Sequence, residues 1–200
     1  MSDPMTTTDA ETTAADPAVE QAERQHPVQA AIVHFDSTVD AAFDKLRGNA
    51  AADRFFYTAS ELGDFSLIWH LIATTKGLRN GDDLEGTLRL SGALALESVL
   101  VNGVIKSLFR RKRPVTDVPR PHRLRTPRSS SFPSGHASAA TVFAIMAAEG
   151  DRLAPLYAVA AASVAASRIH VRIHHASDVV GGVVVGAALG AAMRRWLPGR

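Results

Sequence analysis

Three groups of residues in this 200-residue chain have types and spacings that suit chemistry on an anion. Lys106 precedes Arg113-Pro114 by seven positions, Phe132-Pro133-Ser134-Gly135-His136 stands ahead of an apolar run, and Ser167-Arg168 is followed by His174 and Asp178. In the second group Ser134 suits a helix N-cap, and Pro133 stops the helix extending backward. The amides of Gly135 and His136 then become first-turn donors at the positive end of the helix dipole. That makes an anion site before any side chain is counted. Gly135 also admits a ligand close to the backbone. A plain capped helix with a surface histidine explains the same residues, so this group does not decide alone.

The third group has two readings. His170, His174 and Asp178 fall at i, i+4 and i+8, one face of a continuous helix. Two imidazoles and a carboxylate are ligands for a divalent metal. Arg168 and Arg172 would then crowd a cation. If His174 is instead a nucleophile or base oriented by Asp178, Arg168 binds an anion and the charges agree. The second reading is preferred, and no metal site is predicted.

Composition narrows the setting. Hydrophobic residues make up 46% of the chain and charged ones 21%, which excludes wholesale disorder. Cysteine is absent, so disulfides, Cys–zinc sites and thiol nucleophiles are excluded. The net charge of +2 hides a split: nine of the 22 Lys and Arg lie between Lys106 and Arg128, facing only Asp117. Such a field calls for an anionic partner, whether phosphate, nucleic acid or membrane surface. Taken alone, Arg110-Arg111-Lys112-Arg113 resembles a nucleic-acid patch, but no base-stacking aromatics accompany it, and no nucleic-acid partner is predicted.

The elements that must position these groups are helical. Residues 1–27 are Thr-, Ala- and acid-rich and read as a flexible acidic tail, without the basic start and apolar centre of a signal peptide. Over 28–48, Ile32, Val33, Phe35, Val39, Phe43 and Leu46 follow a helical period, with Asp36, Asp40, Asp44 and Lys45 on the other side. That is an amphipathic helix, suited to a membrane interface. Residues 50–197 form the remaining bundle. Phe65–Thr75, Ser129–Ala148, Leu153–Ser167 and Val179–Met193 carry no Asp, Glu, Lys or Arg, and Leu90–Ile105 is broken only by Glu97. A spanning helix needs about 20 apolar residues, with about 17 as the lower limit, so several runs are short unless their charged ends are counted. Gly182, Gly186 and Gly190 recur at the spacing of close helix packing. With no alternating pattern in the sequence, the predicted fold is all-α, a multi-span transmembrane helical bundle with an N-terminal amphipathic helix. Four prolines, Pro114, Pro119, Pro121 and Pro127, keep the Arg-rich segment from being helical throughout.

Together, Lys106 with Arg113-Pro114, Pro133-Ser134-Gly135-His136, and Ser167-Arg168 with His174 and Asp178 resemble the three-part signature of the type 2 phosphatidic acid phosphatase family. That family is related to vanadium haloperoxidases and bacterial non-specific acid phosphatases. The resemblance covers roughly residues 50–197, with the motifs in family order and spacing. It implies metal-independent hydrolysis of a phosphate ester through a phosphohistidine, with no cofactor. His174 would attack phosphorus while Asp178 holds its other ring nitrogen. His136 would protonate the leaving oxygen and then activate water. Lys106, Arg113, Arg168, Ser134 and the Gly135 amide would bind the phosphate oxygens. His170 and His175 match no catalytic position.

The resemblance also implies a multi-pass protein of the cell membrane, here with four to five spans and its site at the extracytoplasmic face. The implied partners are membrane lipids and a lipid phosphate substrate: isoprenoid phosphate or diphosphate, phosphatidic acid or phosphatidylglycerol phosphate. Positive-inside counting agrees with that orientation only if the nine bases of the site loop are set aside as functional. The alternatives are a vanadate-dependent haloperoxidase and a non-enzymatic membrane protein binding anionic lipid or nucleic acid.

Overall fold

The computed structural model describes residues 26–81, 83–115 and 124–197, so most of the acidic tail lies outside the described residues. The chain divides into two compact units, Met1–His34 and Phe35–Arg200. The first is described only from His26, where helix α1 (Pro27–Asp44) begins. The second holds the rest of α1 and six further helices: α2 (Ala50–Leu62), α3 (Leu67–Arg79), α4 (Leu84–Ser98), α5 (Gly135–Ala147), α6 (Ala154–His170) and α7 (Ala176–Trp196). Among the described residues there is no strand. The expected all-α class is observed.

Helix ends follow local chemistry. Asn49 caps α2 by accepting from the amides of Ala51 and Ala52, and Asp83 caps α4 through the Gly86 amide. Past Ser98, α4 runs on through a π-helical stretch at Val99–Val104 and a 3₁₀ turn at Ile105–Leu108, a helical path of 25 residues. The sequence suggested one uniform helix here. The π stretch widens the turn just before Lys106 and so resets the face on which that lysine emerges.

Helix α5 is the centre of the bundle, packed between α7, α6 and α4. Its Phe143 stacks on Trp69 at 5.1 Å and meets Tyr157 edge-on at 5.8 Å. Against α7 the packing is backbone-close: a Cβ on Gly182 would stand 2.4 Å from the Ser134 carbonyl oxygen, and one on Gly186 would stand 2.5 Å from that of Ser138. The glycine spacing seen in the sequence is thus the α5–α7 seam.

Two helical paths, Leu84–Leu108 and Ala176–Trp196, are long and apolar enough to cross a membrane, while α5 is apolar but only 13 residues long. Only 28% and 39% of those two apolar windows is buried, and Leu88, Leu96, Val99, Val180 and Val184 point outward. Surface that apolar needs lipid or a partner. Among the described residues, these two paths are the ones with the length and composition of a span.

The amphipathic helix differs from its sequence reading. Asp36, expected on the polar outer side, is the buried residue of α1, while Phe35 is 43% exposed. Burial follows from pairing: Asp36 accepts from the Ser177 amide at 2.7 Å, the Ser177 hydroxyl at 2.9 Å and the Arg111 guanidinium at 2.5 Å. Further along, Arg47 donates to Asp40 and Asp44 and to the last carbonyls of α6, Ile169 and His170. Of the acidic side, Asp36 is drawn into the bundle while Asp40 and Asp44 stay about half exposed, and from the apolar side Val39 and Phe43 pack on the core.

The α5–α7 seam is testable. Gly186→Val should overpack it at a cost of about 1–3 kcal/mol. Gly190→Ala, whose Cβ would meet Ile145 side-chain carbons no closer than 3.3 Å, should be tolerated. Thermal melting in detergent should lower the midpoint for the first variant and not the second.

Candidate active site

Four helix ends meet at one end of the bundle: the end of the α4 path, the start of α5, the end of α6 and the start of α7. A backbone bond from the Ser134 amide to the Asp178 carbonyl, 2.9 Å, ties the starts of α5 and α7 together. After α6, Arg172 adopts a left-handed φ of 52°. That turn lets the Arg168 carbonyl accept from the amides of both Ile173 and His174 at 3.1 Å. Arg168 and His174, six positions apart in sequence, are thereby held side by side. The turn also breaks the continuous helix that a His170/His174/Asp178 metal site requires. His170 instead lies buried with Nε2 2.8 Å from Asp53 and its ring stacked on Phe56 at 4.5 Å. Among the described residues no group of three or more His, Asp or Glu has metal-binding geometry.

His174 is buried, with Nδ1 3.5 Å from the Asp178 carboxylate and Nε2 3.2 Å from the Arg113 guanidinium. A guanidinium only donates, so Nε2 is the unprotonated nitrogen and Nδ1 carries the hydrogen facing Asp178. Burial pushes the His174 ring down to about 3, against the pull of Asp178 and with Arg168 and Arg113 adding to the push. The imidazole is therefore neutral at pH 7, with a lone pair on Nε2.

Asp178 is fully buried and fully engaged. Its Oδ2 accepts from the His175 amide at 2.9 Å, and its Oδ1 accepts from Arg111 at 2.7 Å. The same Arg111 nitrogen reaches Ser177, and its other terminal nitrogen reaches Asp36. Sequence reasoning missed both Arg111 and Asp36. Arg111 is one base in a run of four, and nothing local distinguishes it.

A cavity of about 510 Å³ opens above these groups, lined by Lys106, Gly135, His136, Arg168 and His174 of the predicted set. Lys106 and Arg168 are buried cations, the second bonded to the Ser60 hydroxyl. A Cβ on Gly135 would lie 2.9 Å from Asn102 Oδ1 and 3.4 Å from the Lys106 ammonium, so the bare glycine is what lets the α5 N-terminus approach them. Ser134 does not line the cavity; its hydroxyl is the cap of α5, accepting from the Ala137 amide at 3.4 Å. Arg113 does not line it either, and it reaches the site through His174 while also bonding the Ile173, Ser129 and Ser130 carbonyls.

Two carboxylates unforeseen in the sequence reading also line the cavity. Glu97 is buried on α4 beside Lys106. Asp64, in the short 3₁₀ turn Asp64–Ser66, lies 3.1 Å from Nε2 of His136. Partial burial works against its charge, but His136, Arg168 and Arg125 hold Asp64 below the usual carboxylate range.

Helix ends gathered around a buried basic cavity with a neutral His–Asp pair form a site suited to an anion. The family model of the PAP2 superfamily matches residues 86–200, and the chain belongs to that superfamily. The fold is similar to the crystal structure of the first transmembrane PAP2 type phosphatidylglycerolphosphate phosphatase from Bacillus subtilis. That similarity has a TM-score of 0.62 and 24% identity, and it covers 90% of each chain. Comparison with curated proteins gives no match. Family and fold together make this a helical bundle of the PAP2 superfamily, with two helical paths among the described residues long and apolar enough to cross a membrane.

Two outcomes follow from the geometry. Arg111→Ala leaves the buried Asp178 without its charged donor. Loss of a charge-assisted bond of about 1.5–3 kcal/mol should lower turnover roughly 10- to 100-fold, with Arg111→Lys recovering part of it. Nitrogen NMR of the His174 ring should show a neutral Nδ1–H tautomer from about pH 5 to pH 8. An imidazolium signal in that interval contradicts the arrangement.

Proposed function

We propose that the protein is a multi-pass membrane lipid phosphatase that hydrolyses a phosphate monoester or diphosphate through a phosphohistidine, without metal. The observation that carries this is the His174 ring, neutral, with its unprotonated Nε2 accepting from Arg113 and its Nδ1 toward Asp178. Nε2 attacks phosphorus while Lys106, Arg113, Arg168 and the Gly135 amide hold the oxygens, with Arg113 moving from Nε2 to a phosphate oxygen. As the bond from phosphorus to the leaving oxygen breaks, His136 gives that oxygen its proton. Asp178 stabilises the positive charge on the phosphorylated ring. Water then gives a proton back to His136, attacks phosphorus and displaces His174, releasing phosphate. Ser134 contributes by capping α5 and so aiming its amides.

Candidate substrates are isoprenoid phosphates or diphosphates, phosphatidic acid and phosphatidylglycerol phosphate. The fold likeness to a phosphatidylglycerolphosphate phosphatase supports keeping the last among them. The site end of the bundle fits the extracytoplasmic face. The opposite end carries Lys76 and Arg79 paired with Asp151 and Arg194 paired with Glu149, and it is the cytoplasmic end by positive-inside counting once the site-loop bases are set aside as functional.

The test is phosphate release from a panel of these lipids by detergent-solubilised protein, with and without EDTA. Turnover should survive chelation. His174→Ala should abolish both turnover and phosphoenzyme. His136→Ala should lose about 10²- to 10⁴-fold on a lipid alkyl phosphate and far less on p-nitrophenyl phosphate, whose leaving group needs little protonation. Full turnover by His174→Ala, or a requirement for added metal, would sink the proposal.

A further inference from the structure

We infer that Asp64 is the counter-ion and positioning residue of His136, holding its Nε2–H so that the ring delivers its other proton to the leaving oxygen. This rests on the role proposed for His136 above.

The starting point is an electrostatic conflict. A general acid must carry its proton before the chemistry begins, and neighbouring cations oppose that. His136 shares its cavity with Arg168 from α6, Lys106 from the end of the α4 path, and His174. Glu97, also on that path, stands beside Lys106 and offsets it. Burial pushes the His136 ring down to about 4 in the resting site, with Arg168 and Lys106 adding to the push. Asp64 pulls the other way, and an entering phosphate adds its negative charge to that pull. Asp64 places Oδ1 3.1 Å from Nε2.

The surrounding backbone is shaped for this approach. A Cβ on Gly63 would stand 2.7 Å from Cδ2 of His136 and 2.8 Å from Val164 Cγ1, so the ring lies directly on the Gly63 backbone. The next two residues after Asp64, Phe65 and Ser66, both have left-handed φ, 54° and 58°. Consecutive non-glycine residues in that region are disfavoured and persist only where surrounding contacts hold them. Here Arg125 lies over the Phe65 ring at 4.5 Å and lines the same cavity as Asp64. The turn is a mount for one carboxylate.

The proton balance is simple. In the resting site the Nε2–H of His136 faces Asp64. As the P–O bond breaks, the other ring proton, on Nδ1, passes to the leaving oxygen, leaving a neutral imidazole whose Nε2–H still faces Asp64. Hydrolysis of the phosphohistidine returns a proton from water to Nδ1. Asp64 exchanges no proton; it keeps the charged ring favourable and aimed.

The experiment compares Asp64→Asn, His136→Ala and the double variant on a lipid alkyl phosphate and on p-nitrophenyl phosphate. Asp64→Asn should lose roughly 10- to 100-fold in kcat on the lipid, a fraction of the general-acid contribution, and far less on the activated ester. The retained p-nitrophenyl phosphate turnover reports that the variant is folded. Losing the carboxylate makes His136 release its proton at lower pH, so the alkaline limb of the lipid profile should move to lower pH. Adding Asp64→Asn to His136→Ala should cost nothing more. Equal impairment on both substrates, an unmoved alkaline limb, or additive losses overturns the inference while leaving the role of His136 standing, provided His136→Ala alone spares the activated ester. If His136→Ala impairs both substrates equally, both the inference and that role fall.

Discussion

A carboxylate with no solvent exposure survives only when its acceptor positions are filled, and Asp178 meets that condition with groups drawn from all around the site. One oxygen takes Arg111; the other takes the His175 amide and faces His174. Its backbone carbonyl takes the Ser134 amide. Because Arg111 also holds Asp36, the second half of α1 is bound into the same network. The buried carboxylate that faces His174 is therefore also the joint that registers α5, α7 and the Arg-rich segment.

The second constraint is cationic. Lys106 and Arg168 are almost wholly buried, and a cavity with such walls is unfavourable unless an anion enters it or carboxylates stand nearby. Glu97 beside Lys106 and Asp64 near Arg168 meet part of that need in the resting protein. The remaining positive field, together with the amides at the start of α5, is what a phosphate group would neutralise.

The fold places this polar end without disturbing an apolar exterior. Glycines at the α5–α7 seam bring the backbones close enough for the Ser134–Asp178 bond, and the outward faces of the α4 path and α7 remain aliphatic. The π stretch before Lys106 serves the same end, since it turns one basic side chain inward from an otherwise apolar helix.

Much was legible in the residues themselves. Helical class, the cap at Ser134, the glycine seam and the pairing of His174 with Asp178 all depend on interactions within a few residues or on periodicity, so local pattern carries them. The metal alternative at His170 already conflicted with Arg168 and Arg172 in the sequence, and in the fold His170 pairs with Asp53 instead, beyond the turn at Arg172. Asp36, Asp64, Arg111 and Glu97 were not legible. Each is an acid or base that reads as solvated in sequence. Asp36, Asp64 and Arg111 find partners far along the chain, in Ser177, His136 and Asp178, while Glu97 meets Lys106 across an irregular helical stretch. Spacing determines which side chains share a helix face. Which charges are buried together is decided only when helices from distant segments close around them, because the cost of burying a charge depends on the partner that meets it there.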